Sequence, residues 1–261
     1  MTRHQMHVTL NDGWTATVTD TPLSPTPRLG IDSVVVGPYT DREERERFFF
    51  SATFGSMHFL WDTPDILRFD QDSRDLVAVE LQLPYTSADA ETTTRLPVLP
   101  EIRPGGLRAD EAEDCHLEMC TALCRTPGDA ELICLRDLDV LDTPLDARIG
   151  IAPDLTLLLK DGTVVGWTLT DPARHLTTGY AAPDPAPPAE STRRLYSDCV
   201  DLITQPLFDA ITDSDPAALA RLRAADEALR AQTEDRSRAD ALLELISNTV
   251  EDYGDWHDEP Q

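Results

Sequence analysis

The sequence predicts an α+β fold: mainly antiparallel β-sheet, with two similar β units, followed by a helical C-terminal segment. Three observations carry this. Apolar residues alternate with period two at several places before residue 178. Beyond residue 190 the apolar spacing changes to three and four, the signature of amphipathic helices. Between these regimes lies GYAAPDPAPPAE, whose Pro183, Pro185, Pro187 and Pro188 deny it a place in a sheet interior.

Taken in order, Val8, Leu10, Trp14, Ala16 and Val18 alternate around Asp12-Gly13, a dipeptide suited to a tight hairpin turn. Residues 31–36 form a β-branched run stopped by Gly37-Pro38. DREERER reads as one or two exposed helical turns leading into Phe48, Phe49 and Phe50, which call for burial on more than one side. The clearest strand follows the turn QDSR, where Val77, Val79, Leu81 and Leu83 alternate with Ala78, Glu80 and Gln82. A later stretch repeats this layout: Pro64-Asp65-Ile66 resembles Pro153-Asp154-Leu155, and LVAVELQLP resembles VVGWTLTDP. Short strands at 57–61 and 148–151 would precede the two units. On this pattern the inner faces, with Val79, Leu81, Trp167 and Leu169, share one interior, while Glu80 and Thr168 face solvent.

Between the units, LPVLPEIRPGGL reads as a loop with a turn at Gly105-Gly106, 109–118 as a helix, and the segments after it, including AELICLRDL, as strands. In the C-terminal part, Tyr196, Cys199, Val200 and Ile203 keep helical spacing up to Pro206. Asp215-Pro216 supplies an N-cap and first helical residue, with Leu219, Leu222, Ala225 and Leu229 as the apolar stripe. Asp226/Arg230 and Glu234/Arg238 are spaced as exposed ion pairs. A last helix carries Leu242, Leu243, Ile246 and Val250 and ends near Gly254. The domain reading is therefore a β-rich region over 1–178, with halves of about 1–100 and 101–178. A proline-rich linker over 179–190, a helical segment over 191–254 and an acidic tail over 255–261 complete it.

The 261 residues include 48 acids against 22 basic residues, a formal charge of −26, and Lys160 is the only lysine. No basic patch gathers along the chain, so nucleic-acid binding through one is not expected. No apolar run is long enough to span a membrane and no leader is evident at the N-terminus, so a cytoplasmic protein with no membrane contact is expected. Cys115, Cys120, Cys124, Cys134 and Cys199 are an odd set best read as reduced thiols.

Catalytic signatures are lacking. His116 and Cys124 on one helix would stand about 12 Å apart, too far for one tetrahedral zinc, and no CxxC or HExxH spacing occurs. Neither a metal nor a cofactor is expected. The acids Asp137, Asp139, Asp142 and Asp146 lack EF-hand order. Ser56 and His58 lie two residues apart, out of hydrogen-bond reach on a strand. Walker loops and GxGxxG are absent, and no known family is recognised from these residues.

One set invites a pocket: Trp61 and Trp167 in the two units, with Arg174 and His175 after the second and His58 near the first. The preferred function is binding of another protein, as adaptor, regulator or inhibitor, with a basic surface on the partner. The alternative is an enzyme or small-ligand binder with its site between the two β units, and the minor alternative is a DNA mimic.

Overall fold

The computed structural model describes residues 6–11, 13–30, 32–56, 63–89, 92–93, 96, 99–142 and 144–254. Strands β1 (His7–Asn11) and β2 (Trp14–Thr19) form the N-terminal hairpin, with Gly13 at a φ of 78°, a left-handed value that glycine adopts freely. Strands β3 (Arg28–Leu29) and β4 (Ser33–Val36) follow, then helix α1 (Arg42–Ser51) and strand β5 (Thr53–Gly55). Asp41 caps α1 by accepting from the Glu44 amide at 2.8 Å, while Glu44 accepts from Thr40. The first β unit is β6 (Ile66–Asp70) and β7 (Leu76–Gln82), followed by β8 (Thr86–Ser87). Next come β9 (Ile102–Pro104), β10 (Gly106–Ala109), β11 (Ala122–Arg125) and β12 (Glu131–Leu135). The second unit is β13 (Ala147–Ala152), β14 (Leu155–Lys160) and β15 (Thr163–Thr170).

These strands make two mixed, mostly antiparallel sheets. The five-stranded sheet runs β3-β4-β7-β6-β5. The ten-stranded sheet runs β10-β2-β1-β15-β12-β11-β8, with β14, β13 and β9 continuing from the other side of β15. The two β units thus belong to different sheets, and their inner faces meet: Leu67, Val79 and Leu81 share one core with Leu157, Trp167 and Leu169. Antiparallel pairing sets Leu67 opposite Val79 and Leu157 opposite Trp167. Within the hairpins Ile66 pairs with Glu80 and Thr156 with Thr168, so Ile66 occupies the place of Thr156 rather than of Leu155. The sequence match at Pro64-Asp65-Ile66 is therefore one residue out of structural step, and a one-residue step exchanges the faces.

The outer faces are the main correction. Glu80 is 5% exposed and Thr168 0%, not solvated. Helix α1 and the loop before it cover the first, where Glu80 accepts from Tyr39 Oη at 2.7 Å and from Arg45 Nε and Nη2 at 2.5 Å each. Arg68 beside it donates to the carbonyls of Phe49, Thr53 and Ser56. On the second, Arg148, Thr156, Thr168 and Glu131 form a hydrogen-bonded row across four neighbouring strands. Further along that face a smaller core gathers Cys124, Ile133, Leu135 and Leu158 under Val140, Leu141 and Leu145. Phe49 is buried, but Phe50 is 75% exposed, so the aromatic run is not enclosed on every side.

Two further expectations change. The stretch read as a loop holds β9 and β10, and Gly106 is a strand residue with no room for a side chain: a Cβ would stand 2.1 Å from the Thr21 carbonyl oxygen. Residues 110–121 are not helical. Their polar groups are spent on distant backbone and hydroxyls instead: Asp110 accepts from Thr15 and Thr17, Asp114 from the Gly55 amide, and the His116 carbonyl from Asn11. The proposed strand at 57–61 lies outside the described residues, as does the tail 255–261.

Four helices complete the chain: α2 (Glu190–Ile203), α3 (Leu207–Thr212), α4 (Pro216–Ala231) and α5 (Arg236–Tyr253). Asp215 accepts from the Ala217 and Ala218 amides as an N-cap should. Tyr196, Cys199, Leu222, Leu229, Leu242 and Ile246 join the same core as the sheets, so the helices pack over the β region. Arg230 pairs with Asp226 at 2.8 Å, although Asp226 is buried. Arg238 is buried and pairs with Asp235 rather than Glu234, and its Nη2 holds the Asp184 and Ala186 carbonyls of the proline-rich segment. That segment lacks regular structure yet is tied to α5, with Pro188 buried.

Candidate functional site

The residues singled out from the sequence do not converge on one described cavity. Trp61 and His58 lie outside the described residues. Trp167 is buried between the sheets, whereas Arg174 is exposed. His175 is fully buried in a short 3-10 turn (Pro172–His175), with Nδ1 3.2 Å from the Pro27 carbonyl oxygen and Nε2 3.3 Å from Asp154 Oδ2. Burial pulls its pKa below the usual histidine value, against the opposing pull of Asp154.

Trp167 lines a space between the two β units that measures about 10 Å³, room for about one water. Leu67 and Leu81 close it from one sheet and Leu157 and Val164 from the other, with Asp65, Cys120 and Arg136 among its walls. No side chain fits at Gly166 in this wall, because a Cβ there would stand 2.2 Å from the Cys134 carbonyl oxygen. Asp65 is the chemically distinctive group. Its carboxylate accepts from the Gln82 amide at 2.8 Å, yet burial lifts its pKa to about 7, the nearby Arg136 charge opposing the rise. Ser56, beside it, is buried and structural: its hydroxyl donates to the Asp65 carbonyl and accepts from the Leu67 amide. Buried thiols surround the region, and desolvation raises the pKa of Cys120 and Cys134. Among the described residues, no group of three or more His, Cys, Asp or Glu is placed to hold a metal ion.

The open site lies just past the C-terminal end of β7. There a groove of about 240 Å³ runs between the sheet and the C-terminal helices. One wall is Asp32 with Leu83, Pro84 and Tyr85, where the chain leaves β7. The other is Ile203 at the end of α2, Phe208 on α3, and Leu245, Asn248, Thr249, Asp252 and Tyr253 on α5. Backbone bonds hold the walls in place. The Leu83 amide donates to the Asp32 carbonyl at 2.7 Å, and the Gln205 amide to the Tyr85 carbonyl at 2.9 Å. Tyr85 is 62% exposed, an unusual position for a large aromatic ring.

These residues are missed by sequence reasoning because they come from four separate stretches. The available signals were local: Tyr85 follows a strand-ending proline, Asn248 and Asp252 lie off the Leu242, Ile246 and Val250 stripe, and Thr249 is a polar residue on it. Among the described residues, no helix is long and apolar enough to cross a membrane. Comparison of the chain with protein-family models, curated proteins and solved structures finds no match.

Proposed function

We propose that this protein acts by binding another protein that presents a basic surface. The observation that carries the reading is the way the chain spends its charges. Arg28, Arg68, Arg148 and Arg238 are buried, and their guanidinium groups satisfy internal carbonyls, hydroxyls and carboxylates. Arg45, Arg125 and Arg193 are occupied by Glu80, Asp129 and Asp171. Exposed acids are far less occupied: Glu111, Glu113 and Glu118, then Glu227, Glu251 and Asp252, all face solvent. With a formal charge of −26, these solvent-facing acids give the protein an acidic outward field. Such a field speeds encounter with basic proteins and repels nucleic-acid backbones.

The test is affinity capture with the full chain as bait at low ionic strength, followed by mass spectrometry of bound protein and bound small molecule together. The expected result is a stoichiometric basic protein released as salt rises through the range where the screening length shrinks below about 10 Å. Recovery of a tightly held small molecule, with no salt-sensitive protein partner, would overturn the reading in favour of a ligand site.

A further inference from the structure

We infer that the groove between Tyr85 and helix α5 is the docking site itself, and that it seats one large apolar side chain of a short partner segment flanked by arginine or lysine. This rests on the protein-binding reading above and adds to it the place and the recognition chemistry.

Three features define the occupant. The floor and walls are apolar and aromatic, with Leu83, Pro84 and Leu245 buried beneath and Tyr85, Phe208 and Tyr253 only partly covered. Aromatic rings at the rim of an apolar recess are the side chains that most often anchor protein contacts. The volume, about 240 Å³, falls below the roughly 300–1,000 Å³ of pockets that enclose a whole small molecule. It suits one inserted side chain with its flanking backbone lying across the opening.

Charge then selects the flanks. Each wall contributes one exposed carboxylate, Asp32 from the sheet side and Asp252 from α5, and neither forms an ion pair with another described residue. Among the described residues, no arginine, lysine or histidine lines the groove. A cation beside the inserted side chain would meet carboxylate from either wall, and guanidinium or ammonium would also lie over the exposed Tyr85 ring. An acidic segment meets repulsion from both walls, which excludes it by the same geometry.

The experiment uses the full chain and a fluorescein-labelled peptide with a central phenylalanine between two arginine pairs, read by anisotropy. Replacing the phenylalanine by serine, or the arginines by glutamates, should weaken binding by at least about tenfold. On the protein, Tyr85→Ser should weaken it by about tenfold, and Asp252→Asn by about threefold with a shallower salt dependence. Both positions are exposed, so an unchanged melting curve shows the fold intact. Equal binding of the glutamate peptide, no binding at millimolar peptide, or indifference to Tyr85→Ser would overturn the inference. Self-association of the chain that Tyr85→Ser abolishes would overturn it too, by giving the groove to a second copy. A captured partner whose binding survives Tyr85→Ser would leave the protein-binding reading standing while removing the groove from it.

Discussion

Strand β7 and the chain just beyond it have opposite fates. Near the strand's C-terminal end, Leu81 faces the other sheet across a space of about 10 Å³ that Trp167 and its neighbours fill. Past its end, Leu83, Pro84 and Tyr85 form one wall of a groove more than twenty times larger, open to solvent and edged with carboxylates. The sequence draws attention to the first region, because tryptophans in two similar strands suggest a pocket. The structure uses Trp167 to close the interior, and leaves surface for recognition where sheet and helices meet. Tryptophan in a strand is a packing residue first; recognition falls to aromatic rings that the packing leaves over.

Substitutions sharpen this contrast. The largest effect belongs to the interior: Trp167→Ala should cost about 3–5 kcal/mol in urea unfolding, since a fully buried indole is removed between two sheets. A cost near zero would mean that the sheets are not joined through Trp167.

Asp65 gives the next effect, and its sign is opposite to that of an ion-paired carboxylate. Its pKa rises from 3.8 to about 7 on folding, so the folded state holds the proton more tightly than the unfolded chain. The associated stability is fully present below about pH 4 and is lost as pH rises through about 7, a change of up to about 4 kcal/mol. Asp65→Asn should flatten this pH dependence and make the protein more stable than wild type at pH 8. Parallel stability curves for the two proteins between pH 4 and 8 would contradict the burial of a reluctant charge there.

Smaller is the outer face of the second unit. Thr168→Ala removes the hydroxyl that joins Arg148, Thr156 and Glu131, and should cost about 1–3 kcal/mol. A cost below about 0.5 kcal/mol, the ordinary value for a solvated position, would restore the simple alternation of buried and exposed faces. Smallest of all, Tyr85→Ser should change stability by no more than about 0.5 kcal/mol, because the ring is mostly exposed. A large loss would make Tyr85 a core residue and the groove a packing defect.

The α+β architecture, the hairpins and the C-terminal helices were legible because each leaves a local trace. Alternation placed Val79, Leu81, Trp167 and Leu169 on the inner faces, and Asp215-Pro216 marked a helix start. The outer faces were not legible, since what buries Glu80 and Thr168 lies far off in the chain: helix α1 for one, Arg148 and Glu131 for the other. The same limit explains residues 109–118, where helix-compatible acids are instead hydrogen-bonded to β2 and β5. Of the candidate site, only its acidic character could be read in advance. Asp32, Tyr85, Phe208 and Asp252 meet through tertiary folding alone, and no spacing links them.

The central claim is that the interior holds the fold while the groove meets the partner. Amide hydrogen exchange, followed by mass spectrometry on the chain alone and saturated with its captured partner, tests it most directly. The account predicts added protection confined to residues 83–86, 203–208 and 245–253, with the inner strands β6, β7, β14 and β15 unchanged because they are already slow to open. Protection that appears instead around 106–109 or 172–176, with the groove segments unaffected, would contradict it.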